Sequence, residues 1–231
     1  MAAKNPAQFF TQAHAEQYDQ RFAKLAPMRD AAHLLIAATL SDLPADARIL
    51  CVGAGTGAEI LPLAARFPGW RFTAVDPSGP MLDVCRTRTA AFADRCTYHH
   101  GYLDTLPAAR DHHAATSILV SQFLTDPAER IDYFRTIAAH LRPSGALIVS
   151  DLSTGPGGPI GEALIEDWMR LMLMADQTPE QIANLRTAYQ THVAILPAAE
   201  IALLLTRAGF EAPIPFLQTS LIHAWHTRVA E

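Results

Sequence analysis

A chain of 231 residues, half of them hydrophobic, can bury one large core, and no long Pro/Gly/Ser-rich or charged linker divides it into separate domains. A formal charge of −5, with lysine only at Lys4 and Lys24 and arginines scattered, argues against a generic nucleic-acid binder, which needs a basic face. The longest apolar runs, such as Leu34-Leu35-Ile36-Ala37-Ala38, fall far short of the roughly 20 residues that cross a bilayer, so no membrane partner is expected.

No apolar segment follows Lys4, so the N-terminus does not read as a signal peptide. Cys51, Cys85 and Cys96 form no Cys-x-x-Cys pair and read as free structural thiols, which fits a cytoplasmic location.

Residues 7–24 read as a helix carrying Phe9, Phe10, His14 and Tyr18, and Pro27 opens a second helix running to about Leu40. From Ile49 the pattern alternates: strand 49–53, helix 58–66, strand 71–75, helix 79–93, strands 97–100 and 116–121, helix 127–141, strand 145–151. Arg142-Pro143-Ser144-Gly145 punctuates the last helix and strand. Two helical segments interrupt the alternation over 152–192, and helix 197–208 leads to strands 211–217 and 220–228, whose short connection predicts an antiparallel hairpin. The sum is an α/β fold with a doubly wound, mostly parallel seven-stranded sheet.

The first strand breaks into Gly53-Ala54-Gly55-Thr56-Gly57-Ala58-Glu59. Three glycines so close would weaken a regular element by about 1 kcal/mol each, so they predict a purposeful turn that lets a ligand approach the backbone. Asp76 closes the second strand about 20 residues on, the spacing at which an acid meets ribose hydroxyls. Together the two motifs point to an adenosine-containing cofactor. Gly53-x-Gly55-x-x-Ala58 also satisfies the nicotinamide fingerprint, so an oxidoreductase and a non-catalytic cofactor-binding subunit stay open as alternatives. The terminal hairpin weighs against the oxidoreductase, whose cofactor domain completes a second parallel half.

Gly53-Ala54-Gly55-Thr56-Gly57, then Asp76-Pro77-Ser78 and Met81-Leu82, resembles the class I S-adenosylmethionine-dependent methyltransferases, by motif over residues 45–155 and by element order over the whole chain. The resemblance implies a Rossmann-like fold, S-adenosylmethionine as cofactor and methyl transfer to a small-molecule substrate. It divides one domain into a helical cap (1–45), a cofactor-binding core (46–151), a helical insertion (152–192) and a C-terminal helix and hairpin (193–231). By the same resemblance Gly53, Ala54, Gly55 and Gly57 face the methionine moiety, Asp76 holds the ribose, and Pro77, Ser78 and Met81 flank adenine. Many members carry an acid after the glycine that follows the third strand. Here Tyr102 stands there and Asp104 comes two residues late, so Gly101 and Tyr102 are the expected contacts, with Asp104 the alternative. Ser121 and Gln122, past the fourth strand, match positions that line the methionine portion; the alternative for Gln122 is a solvent-facing amide. Tyr18 is read either as an aromatic covering the pocket or as a packing tyrosine.

In the insertion, Trp168, Leu171, Met172 and Ala175 recur at helical spacing. They predict a helix packed on the core or on a second subunit of a homodimer, or an adaptable apolar wall over a substrate. Tyr18, Trp168, Met172 and Arg186 are the candidate substrate contacts. Ten histidines give no metal-binding spacing: His99-His100 and His223-x-x-His226 project to opposite strand faces, and His112-His113 fall in an expected loop. No metal is therefore expected and no catalytic residue is identified, although His14 or His192 could act as a base. Finally, the segments Leu119 to Arg130 and Leu141 to Ser150 resemble carboxy-S-adenosylmethionine synthases of the tRNA wobble-uridine pathway. That resemblance implies an insertion arginine, here Arg186, facing an extra cofactor carboxylate.

Overall fold

The computed structural model describes residues 12, 15, 20, 22–107, 109–155 and 157–231. Most of the expected helix 7–24, with His14 and Tyr18, lies outside the described residues.

Helix α1 (Ala26–Thr39) starts with proline in its first turn and ends where expected. Strand β1 (Arg48–Val52) is buried on both faces beyond Arg48, which explains its unbroken apolar run. Helix α2 (Ile60–Arg66), strand β2 (Arg71–Asp76) and helix α3 (Gly79–Arg88) follow, α3 being capped by the Ser78 side chain accepting from the Met81 amide. The helix predicted over 79–93 stops early. Thr89 turns its hydroxyl back to the Cys85 carbonyl at 2.7 Å and to the Tyr98 hydroxyl at 2.6 Å, and a 3-10 stretch with non-helical Phe92 takes over.

After β3 (Cys96–His100), strand β4 occupies His112–Ile118 rather than 116–121. His112-His113 is thus strand, not loop. The His112 ring is buried, with contacts to Thr73 Oγ1 at 3.1 Å and the His140 carbonyl at 3.3 Å, so it pairs like an apolar residue. The strand ends early because Leu119 enters the left-handed region at φ +58°. Helix α4 (Pro127–His140), capped by Asp126, runs directly into β5 (Leu141–Leu152). The Arg142–Gly145 turn becomes a bulge inside that strand, where the register against β4 shifts.

The insertion forms α5 (Gly158–Met174) and α6 (Pro179–Thr191), the latter opened by a Thr178/Gln181 capping box. Helix α7 (Ala198–Arg207) precedes the hairpin β6 (Ile214–Thr219) and β7 (Ile222–Arg228).

The sheet order is β3-β2-β1-β4-β5-β7-β6, parallel except for β7, which runs antiparallel to both neighbours. Alternate β1 residues serve opposite layers: Ile49 and Cys51 pack with α1–α3, Leu50 and Val52 with α4 and α7. A third cluster, built on Leu152, Trp168, Met169, Met172, Ile182 and Leu221, seats the insertion on the ends of β5 and β7. The strand order reverses between β1 and β4, and such a reversal opens a crevice at the carboxyl ends of the strands.

Candidate active site

The glycine turn stands at that reversal. Gly53, Gly55 and Gly57 all have positive φ (67°, 53° and 73°). A methyl on Gly53 would meet Val120 Cγ2 at 2.5 Å, and one on Gly57 would meet Cys85 Sγ at 2.7 Å. Only glycine gives both the backbone shape and the room. The turn is tied to β2, since the Gly53 and Ala54 amides both donate to the Val75 carbonyl, at 2.8 and 3.1 Å.

Asp76, at the carboxyl end of β2, organises the crevice. Its Oδ2 accepts from the Gly55 amide and its Oδ1 from the Ser78 amide, each at 2.8 Å. Burial raises its carboxyl above the ordinary value, while the two amide hydrogen bonds and nearby His100 hold the shift back. The next segment follows from this geometry: Ser78 caps α3, Met81 is buried with its methyl 3.4 Å from where a Gly55 side chain would start, and the Pro77 carbonyl contacts His100 Nε2 at 3.2 Å.

Gly101 joins the same locus, its amide donating to the Asp76 carbonyl at 3.1 Å. Tyr102 is 45% exposed, and burial together with the charges of Asp104 and Asp76 pushes its hydroxyl above the usual range. Asp104 lines a cleft of about 540 Å³ with Leu106, Arg135 and His140.

Past β4, Ser121 and Gln122 are both buried, and the Ser121 hydroxyl and the Gln122 side-chain carbonyl oxygen are hydrogen-bonded to protein groups. Ser121 Oγ donates to Asp151 Oδ2 at 2.5 Å and accepts from Arg130 Nε at 2.8 Å. Gln122 Oε1 accepts from the Leu152 amide at 2.8 Å, so this buried residue is not a solvent-facing amide. Val120, between the strand and these residues, packs on Gly53. Sequence reasoning missed it as a site residue because a valine after a strand carries no polar signal. Glu59 was also passed over: it is 6% exposed, and burial and then the Asp76 charge push its carboxyl up to about 7. Its only sequence signal was an acid directly behind the glycines.

Of the two readings of the insertion's helical stripe, the structure shows packing on the core. Trp168 and Met172 lie inside the third cluster, the Trp168 indole donating to the Tyr189 hydroxyl at 2.9 Å, because the helical stripe they form is the face that packs down. Arg186 borders a cleft of about 380 Å³ with Ile165, Met169 and Tyr189. Both its terminal nitrogens are taken by Glu166, at 2.6 and 2.7 Å, so it presents no unopposed charge to a carboxylate. His192 is the C-cap of α6. Among the described residues no three His, Cys, Asp or Glu side chains group as metal ligands, and no helix is long and apolar enough to cross a membrane.

Residues 49–145 match the family described as a methyltransferase domain. No curated protein matches the chain. Among solved structures, similarity extends to a possible exported protein from Bordetella parapertussis (22% identity, TM-score 0.66, covering 87% of this chain and 68% of that one). A protein from Nostoc punctiforme PCC 73102 assigned as an O-methyltransferase is similar at 20% identity and TM-score 0.65, with 90% and 58% covered. The S-adenosylmethionine-dependent methyltransferase SibL follows at 19% identity and TM-score 0.60, with 87% and 57% covered. The chain thus spans between 57% and 68% of the lengths of these three. With its reversal-point glycine turn, antiparallel β7 and methyltransferase-domain match, the chain has the class I methyltransferase fold.

Proposed function

We propose that the protein transfers a methyl group from S-adenosylmethionine to a small-molecule acceptor. The observation that carries this reading is Asp76, fixed at the end of β2 by the Gly55 and Ser78 amides at the lip of the glycine turn. A carboxylate has about four acceptor sites, so two amide bonds leave capacity for two ribose hydroxyls. The glycine turn fits a chain of atoms lying against bare backbone, and Met81 and Tyr102 offer apolar surface for a flat base. S-adenosylmethionine supplies an electrophilic methyl group on a sulfonium.

What the chain contributes is alignment and the exclusion of water, which can account for much of the acceleration in an in-line displacement. Val120 and Gly53 close one side of the turn, and the insertion stands over the ends of β5 and β7. The antiparallel β7 argues against the nicotinamide alternative, and the pairing of Arg186 with Glu166 weighs against the carboxylate contact that the carboxy-S-adenosylmethionine resemblance implied for that arginine. A cytoplasmic location, supported by three free cysteines, and a homodimer through the insertion belong to this proposal, as does the lack of a nucleic-acid partner.

The test is turnover. Incubation with S-adenosylmethionine and a panel of phenols, amines and carboxylic acids should release S-adenosylhomocysteine with at least one acceptor class. Tight cofactor binding with no turnover across the panel would favour the non-catalytic subunit.

A further inference from the structure

Arg130 is among the largest fully buried side chains of the described residues, and it lies on α4, outside the crevice. Its guanidinium donates in three directions: Nε to Ser121 Oγ at 2.8 Å, Nη2 to Asp151 Oδ2 at 2.9 Å, and Nη1 to the Ala194 carbonyl at 3.3 Å. Asp151, also fully buried, accepts from the Ser121 hydroxyl and, through Oδ1, from the Gln122 amide at 3.0 Å. The Ala194 amide in turn donates to the Gln122 carbonyl at 2.8 Å. One ion pair therefore ties together the turn leaving β4, the end of β5 and the segment by which the insertion returns to the core.

A buried ion pair is weak evidence for stability, because apolar residues of similar volume often serve as well. What this pair supplies is direction. The turn it anchors contains Leu119 at φ +58°, a conformation that a branched side chain keeps only where its surroundings over-determine it. Leu119 is pinned on one side by its amide donating to the Ser150 carbonyl at 2.7 Å, and the chain is pinned again three residues later by the Arg130–Asp151 network. Between those two pins Val120 is pressed against Gly53, filling the space a side chain there would need.

We propose that Arg130 and Asp151 are a positioning pair: they hold Val120 on the glycine turn and couple that turn to the return segment of the insertion, without touching cofactor or acceptor. The cofactor consequence rests on the reading of Gly53–Gly57 as the S-adenosylmethionine turn; the coupling does not.

The informative variant is the double substitution Arg130→Met with Asp151→Leu, which removes the network while refilling its volume. It should fold and melt cooperatively, yet bind S-adenosylmethionine at least about tenfold more weakly, the kind of loss a displaced support produces at a distance. Amide hydrogen exchange, read by peptide mass spectrometry, should accelerate both at residues 193–196 and at residues 53–57. Ser121→Ala removes only the bridging hydroxyl; without cofactor its exchange should accelerate at residues 193–196 and 53–57 in the same pattern at smaller amplitude, and that exchange, not affinity, decides the matter if the double variant does not fold. Arg130→Lys keeps the charge but not the fork and should restore affinity only in part. Unchanged exchange at residues 53–57 in a folded variant that loosens residues 193–196 would overturn the proposal. If the wild type shows no S-adenosylmethionine binding, the cofactor reading fails, and the exchange result still decides the coupling.

Discussion

Gly57 shows how much of the site rests on single atoms. Its φ of +73° belongs to a region that side chains rarely adopt, and an added methyl would sit 2.7 Å from Cys85 Sγ, a buried atom with little room to retreat. Gly57→Ala should therefore lower stability by about 1–3 kcal/mol, measured by denaturant unfolding, and weaken cofactor binding as the turn shifts. Stability within a few tenths of a kcal/mol of wild type would mean that the turn is looser than its geometry implies. Cys85 illustrates a second residue-scale effect: burial, with Glu59 nearby, pushes its thiol up to about 12, so it packs as an apolar group and is not a nucleophile.

At the scale of elements, the insertion separates packing from ligand contact. Met172 is 1% exposed within the cluster that holds α5 against Leu152 and Leu221. Met172→Ala should lower stability by about 2–5 kcal/mol while leaving S-adenosylmethionine affinity unchanged. A large loss of affinity without loss of stability would return Met172 to the pocket.

The alternating strands and helices, the glycine turn, Asp76 and the terminal hairpin were legible in the sequence because each has a local signature: an apolar run, a glycine triplet, a spaced acid, a short connection. Strand β4 was misplaced because His112 and His113 look polar, and burial of the imidazole depends on Thr73 and His140, distant in the chain. Val120 and the Arg130–Asp151 pair were illegible for the same reason: their roles exist only across the sheet. The stripe of Trp168 and Met172 announced a helix face but not which neighbour it meets.

Across the whole molecule, buried titratable groups pull the pH dependence in opposite directions. Burial and the Arg29 charge lower His33 from 6.5 to about 4, so its contribution to stability is present above 6.5 and lost as pH falls toward 4. Burial also lowers His112, His140 and His223. Glu59 works the other way: its pKa rises from 4.5 to about 7 on folding, so its contribution is present below 4.5 and lost as pH climbs through 7. The two slopes oppose each other across mildly acidic pH and flatten the profile. Glu59→Gln removes one of them. Relative to wild type the variant should gain on the order of 3 kcal/mol between pH 4.5 and 7, then level off, in unfolding measured across a pH series. A difference that does not vary with pH would show that Glu59 keeps its ordinary pKa.

Calorimetric titration of the protein with S-adenosylmethionine, with NADH as parallel ligand and Asp76→Ala as control, shows whether Asp76 and the glycine turn hold the cofactor. Each charge-assisted hydrogen bond lost contributes about 1.5–3 kcal/mol, so the expected result is saturable S-adenosylmethionine binding that the variant weakens by tenfold or more, and no NADH binding. Binding that survives Asp76→Ala unchanged, or saturable binding of NADH alone, would contradict it.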